Sequence, residues 1–188
     1  LFVLGLAINF YFLIRAYVSS FITQIFYLVF CGVVGIFSVL GTLQIGPLKN
    51  LLYKDSVSLR GEYWHAGLVM AKNHLFSGVG FDAYGDWYRT TRRASALVRP
   101  GPETVSNSAH NVFIDIFAFG GLPLFLSYLL LTSLVVISIF RQIRLTKSFN
   151  PVFISLVGAW SGYQVQSIIS INQIGLAIWG SILGSAIL

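Results

Sequence analysis

Two kinds of residue in this sequence could do chemistry beyond packing: a histidine at the mouth of an apolar stretch, and arginines gathered in the one long polar segment. The run Ser106-Asn107-Ser108-Ala109-His110-Asn111 leads into a charge-poor stretch, so His110 falls at the N-terminal end of the helix expected there. The partial positive charge of a helix N-terminus disfavours an imidazolium. A neutral imidazole in that place can take a proton from a hydroxyl. The other reading stays open, that His110 and Asn111 cap the helix or bond lipid headgroups. His65 and His74 have no histidine four residues away, and the Glu and Cys patterns of zinc sites are absent, so no metal site is expected.

Residues 49 to 110 hold 8 Lys or Arg against 5 Asp or Glu, a net charge of +3. Within them Tyr84, Trp87 and Tyr88 alternate with charge before Arg89, Arg92, Arg93 and Arg99. Guanidinium forks bind phosphate oxygens bidentately, so an aromatic, arginine-rich loop suits an anionic ligand with an apolar or sugar portion. Attraction to anionic lipid headgroups explains the same composition. Nucleic acid is not expected as a partner, because the basic residues lie between apolar stretches and not on a free basic domain.

The elements that must position these residues follow from composition. Apolar residues make up 56% of the 188-residue chain and charged ones 10%, far from a soluble domain in which about a quarter are charged. No Asp, Glu, Lys or Arg occurs between Arg15 and Lys49, between Asp115 and Arg141, or from Ser148 onward, and each stretch exceeds the roughly 20 residues of a spanning helix. The expected fold is all-α, a polytopic transmembrane helix bundle forming one membrane domain over 1–188. Spans are expected at about 1–14, 20–46, 112–140, 151–168 and 174–188, the last two separated by a polar turn with Gln164, Gln166, Ser167, Ser170, Asn172 and Gln173. The run Leu1 to Ile14 reads as the remainder of an upstream helix, and the chain as a fragment of a longer protein. Asp115, about one turn inside its span, is a weak candidate for function.

Short connections set orientation better than long ones. Arg15 in one short link, and Arg141, Arg144 and Lys147 in another, place both links on the cytoplasmic side, which puts the 49–110 loop outside the cell membrane. The lone Cys31 lies within a span and excludes a disulfide inside this stretch. Gly32 with Gly35 and Gly158 with Gly162 suggest close helix packing. Inside the loop, Leu59, Tyr63, Ala66, Val69 and Met70 form one apolar stripe of a helix over 58–72, with Ser58 as candidate N-cap. Such an amphipathic helix is expected to lie on the membrane surface, with Arg60 and Trp64 projecting from one side as an interfacial anchor pair. Phe76-Ser77-Gly78-Val79-Gly80-Phe81 reads as a plain glycine turn, lacking the length and lysine of a phosphate-binding loop.

Taken in order, Arg60-x-x-x-Trp64, His74, Gly78-Val79-Gly80, Tyr84, Ser108-Ala109-His110-Asn111 and Gly120-Gly121-Leu122 resemble the O-antigen ligase and O-antigen polymerase family over about residues 56 to 126. Leu75, Phe119 and Leu124 depart from the family pattern, which often has proline, glutamate and a second glycine there. The resemblance implies an integral membrane enzyme of the bacterial inner membrane with its loop on the periplasmic side. It implies transfer of a glycan from an undecaprenyl-diphosphate carrier to a glycan or lipid acceptor, with no metal, cofactor or nucleotide sugar. On this reading Arg60, with one or more of Arg89, Arg92, Arg93 and Arg99, neutralises the departing diphosphate, and His110 activates or orients the acceptor hydroxyl beside Asn111. Trp64, Tyr84 and Trp87 stack on sugars or hold the polyprenyl chain. A transporter for a small anion such as bicarbonate and a non-catalytic membrane scaffold are the competing readings.

Overall fold

The computed structural model describes residues 2–18, 20–42, 45–52, 59–145 and 150–188, and among these it is helical with no strand. The helices are α1 (Phe2–Tyr17), α2 (Phe21–Thr42), the short α3 (Lys49–Leu52), α4 (Arg60–Asn73), α5 (Tyr84–Thr91), α6 (Ser95–Val98), α7 (Val112–Leu145), α8 (Pro151–Ser167) and α9 (Ile174–Ile187). Two stretches, Phe21–Gly41 and Val112–Leu145, are long and apolar enough to cross a membrane, while Leu6–Tyr17 and Ile174–Ile187 are shorter apolar helices. The expected cap Ser58 and the basic Lys147 lie outside the described residues.

The chain divides into two compact units, one of Leu1–Lys54, Leu134–Val165 and Ile178–Leu188, the other of Asp55–Ser133 and Gln166–Ala177. In the first, α1 and α2 pair through the Tyr27 hydroxyl, which donates to the Ala7 carbonyl at 2.9 Å, and through the Phe10 and Tyr27 rings at 5.6 Å. Pro151 opens α8, where a missing N–H is harmless, and Asn150 Oδ1 caps it by accepting the Phe153 N–H at 3.1 Å. Val135, Val157, Trp160 and Ile187 make its core, and Gly184 lets the Trp160 indole nitrogen come to 3.1 Å of where a Cβ would stand. The small residues in close contact thus include Gly184. Gly32 and Gly35, expected at a tight helix crossing, have nothing within 4 Å of their would-be Cβ atoms among the described residues.

The second unit carries the polar loop. Its core is Ala66, Met70, Tyr84, Tyr88, Ala109 and Ala118, with Tyr63, Trp64, Val79, Ile114 and Phe119 packed against it. The apolar stripe of α4 is the reason: Tyr63, Ala66 and Met70 turn inward onto α5 and the start of α7. Gly67 permits that closeness, since a Cβ there would meet Ile114 Cγ2 at 2.6 Å. The stripe expected to lie on lipid therefore faces protein. An apolar stripe gives a helix a face to bury but does not name the partner, and α5 with the α7 start supplies one within the protein.

The expected single helix over 112–140 is also revised. α7 runs on to Leu145 but is broken at Gly121, whose φ of 63° and ψ of −161° are not helical, two residues before Pro123. A proline removes one helical hydrogen bond and a break removes more, and each freed group needs a new partner. The 75–80 turn provides them. Leu122 N–H donates to Leu75 O at 2.7 Å, Val79 N–H to Ala118 O at 2.8 Å, and Gly80 N–H to Phe119 O at 3.1 Å. Phe119 O is the carbonyl that Pro123 cannot serve. Gly78 and Gly121 both have positive φ, and a Cβ on Gly78 would run into the Phe119 carbonyl, so only glycine fits that face of the contact. Gly78-Val79-Gly80 and Gly120-Gly121 are thus two halves of one backbone junction.

Candidate functional site

α4 and the start of α7 bring Arg60 and His110 into one neighbourhood of the second unit. Arg60 opens α4, and Tyr63, one turn further on, stacks its ring on the His110 imidazole at 5.4 Å. Tyr63 is held in turn by Tyr88, edge-on at 5.8 Å, and by the Tyr84 hydroxyl, which donates to the Tyr63 carbonyl.

The segment before α7 is fixed by its own polar atoms. Asn111 Oδ1 accepts the N–H groups of Phe113 at 3.0 Å and Ile114 at 3.2 Å, the arrangement of an N-cap. Asp115, 1% exposed, reaches back to accept the Ala109 N–H at 2.6 Å. Ser106 Oγ donates to Ser108 O at 2.7 Å, and Ser108 Oγ accepts the His110 N–H at 3.2 Å. These ties hold His110 at φ 57°, a left-handed backbone that non-glycine residues seldom adopt and that is frequent at functional sites. The His110 Nδ1 lies 3.3 Å from both Ser108 O and Ser108 Oγ.

Burial lowers the His110 pKa below its ordinary 6.5; the bond to the Ser108 carbonyl opposes that shift, and the Arg60 charge adds to it. The neutral imidazole is therefore favoured, with a fixed cation close enough to be felt. The Arg60 Nε and the Trp64 indole nitrogen, one turn apart on α4, are both buried and, among the described residues, without a hydrogen-bond partner. Two unanswered donors on one side of a helix are costly unless something accepts from them. Glu62 Oε2, His65 Nδ1 and the Tyr88 hydroxyl are in the same condition, while Glu62 Oε1 accepts from Ser95 Oγ at 3.0 Å.

The remaining arginines go different ways. Arg92 donates to the carbonyls of Pro102 at 2.9 Å and Thr104 at 3.2 Å and covers the Tyr88 ring at 5.9 Å, which makes it a clamp for the 102–104 loop. Arg89 is exposed and lines an open groove of about 470 Å³ with Asp82, Gly85, Asp86, Val105 and Asn107. Arg93 and Arg99 are exposed. Trp87, 38% exposed, meets the His74 ring edge-on at 4.6 Å. Tyr84 is wholly buried, a core residue with no face open to a sugar; burial, with Asp115 and Tyr88 nearby, raises its pKa. Among the described residues no group of three or more His, Cys, Asp or Glu side chains gathers as metal ligands would.

Sequence reasoning did not find Tyr63 as the partner of His110, because no local signal says which aromatic of α4 faces a residue 47 positions away. Asp115 was visible as an acid in an apolar stretch, but its bond to Ala109 was not.

Fold and site together define a helical membrane-type protein in which a compact polar unit brings a histidine and an arginine together at the entrance of an apolar helix. Residues 1–129 match the family described as O-antigen ligase, and the chain belongs to that family. At the family level this carries O-antigen ligase or polymerase-type glycan transfer in a membrane setting. No curated protein and no solved structure matches the chain.

Proposed function

We propose that this protein transfers a glycan from an undecaprenyl-diphosphate carrier to an acceptor hydroxyl, with His110 as general base and Arg60 as the cation that stabilises the departing diphosphate. The observation that carries the reading is the half-buried His110 ring, stacked on Tyr63 beside Arg60, whose Nε is buried and unanswered among the described residues. Transfer breaks the bond from the sugar anomeric carbon to a phosphate oxygen, so negative charge grows on the diphosphate. A preorganised cation in a poorly hydrated place stabilises that charge more in the transition state than in the ground state. The acceptor oxygen forms the new bond to the anomeric carbon and its proton goes to the imidazole. With the Nδ1 proton donated to the Ser108 carbonyl, Nε2 holds the lone pair that receives it. Burial favours the neutral base, and the Arg60 charge that binds diphosphate adds to that effect.

The Trp64 indole N–H extends the diphosphate site by a second donor, and Arg93 and Arg89 are the exposed cations that meet an incoming anion. Asp115 and Asn111 position His110 through the backbone of its segment. The setting we infer is a polytopic helix bundle in the bacterial inner membrane, with α2 and α7 among its spans and the polar unit on the periplasmic side, where lipid-linked glycans are used.

The test is consumption of an undecaprenyl-diphosphate oligosaccharide by the full-length protein in nanodiscs. A positioned base is worth roughly 10²–10⁴-fold, so His110→Ala lowers turnover by that order with folding retained, and Arg60→Ala lowers it as well. Full turnover in either variant removes that residue from the mechanism; no donor consumption by the wild type with several glycans removes the transfer reading.

A further inference from the structure

The break in α7 fixes a depth. From Leu122 to Phe140 there is no Asp, Glu, Lys or Arg, and Arg141 follows. Those 19 residues of helix are about 29 Å long, against a hydrocarbon thickness of about 30 Å. A membrane that covers this stretch ends at Gly121, and the limb 112–120, with buried Asp115, lies beyond it.

The 75–81 turn is bonded to that same point. Its sequence, Leu75-Phe76-Ser77-Gly78-Val79-Gly80-Phe81, is free of charge between Lys72 and Asp82. Four of its backbone groups are answered within the protein: Gly78 N–H by His74 O at 2.8 Å, Val79 and Gly80 N–H by the carbonyls of the broken helix, and Leu75 O by Leu122 N–H. Ser77 Oγ donates to Gly78 O at 3.0 Å. Internal pairing of backbone groups is the condition for a non-helical segment to meet hydrocarbon. Yet Phe76 is 75% exposed and Phe81 76%, while the apolar stripe of α4 that could have contacted lipid is buried. Further along the same helix Leu126, Leu130 and Leu131 are more than half exposed, so α7 beyond the break is apolar at its surface as well.

We propose that Phe76 and Phe81 form a lipid-inserting wedge at the hydrocarbon boundary, the membrane contact of the polar unit. The wedge is bonded to the helix break, and limb 112–120 is about 14 Å long. The proposal rests on α7 crossing a bilayer and not on glycan transfer, so it is read without any donor.

The experiment uses spin labels on single cysteines in the protein, with Cys31 changed to serine. Labels at Phe76→Cys and Phe81→Cys are compared with Leu131→Cys at mid-span and Arg93→Cys on the polar unit, in nanodiscs of phosphatidylethanolamine and phosphatidylglycerol. The expected result is that both wedge labels are reached by oxygen and shielded from a water-soluble nickel chelate, with Leu131 deeper and Arg93 open to the chelate. Wedge labels as open to the chelate as Arg93, with Leu131 shielded, overturn the proposal while leaving the span intact. A Leu131 label open to the chelate overturns it by removing the span. Shielding of the wedge only after undecaprenyl diphosphate is added also overturns it, since the substrate chain and not the bilayer would then be the occupant.

Discussion

α2 and α4 are both rich in apolar residues, yet the first exposes them and the second buries them. On α2, Ile22 is 79% exposed and Phe26 72%, and none of its apolar window is buried. On α4, Ala66, Met70 and Ala71 are fully buried, and the neighbouring Tyr84 and Tyr88 with them. The difference lies in what surrounds each stripe in sequence. α2 has no charged residue and only Thr23, Gln24, Ser38 and Thr42 among its polar ones, so its natural solvent is hydrocarbon or another helix. α4 carries Arg60, Glu62 and Lys72 beside its stripe, which leaves one face for protein and the rest for water and ligand. Apolarity alone says that a surface leaves water; the charge pattern says where it goes.

The contrast can be broken most forcefully at glycines. Gly78→Ala puts a Cβ against the Phe119 carbonyl at positive φ, and strained backbone of this kind costs about 1–3 kcal/mol before the collision is counted. Thermal unfolding of the polar unit is expected to move down by several degrees. Gly35→Ala on α2 meets nothing within 4 Å and should leave unfolding unchanged. A large loss at Gly35 would reveal a close neighbour on that face. A smaller effect is expected for Tyr84→Phe, which removes the hydrogen bond to the Tyr63 carbonyl from a buried hydroxyl, about 1 kcal/mol by chemical denaturation. Because Tyr84 has no open face, the donor KM should hold; a raised KM would mean that the core opens to substrate.

Much of the fold was legible because lipid leaves few solutions. The charge-free stretches between Arg15 and Lys49 and between Asp115 and Arg141 hold the two long apolar helices, and Pro151 with Asn150 marks the start of α8 as capping chemistry demands. The break at Gly121 was not read, although Gly120-Gly121 and Pro123 stand in the sequence, because a proline in an apolar helix is tolerated wherever neighbours answer the freed groups. Those neighbours, Leu75, Val79 and Gly80, are some 40 residues away. At the candidate site, His110 stood out by its position before an apolar stretch, whereas Arg60 came forward only with the family resemblance. The use of Arg92 as a clamp and of Tyr84 as core could not be read, since both follow from contacts distant in sequence.

The division of labour between base and cation is tested most directly by the pH dependence of donor consumption in the wild type and in Arg60→Ala. On the proposed assignment the base works in its neutral form, and burial, with the Arg60 charge adding to it, lowers its pKa, so kcat/KM should rise with pH through a midpoint below 6.5 and level off above it. Removing the cation relieves one of the two depressing influences, and the midpoint in Arg60→Ala should move upward while the plateau falls. An acid limb that stays in place when Arg60 is removed, or no acid limb at all, would contradict the pairing of Arg60 with His110.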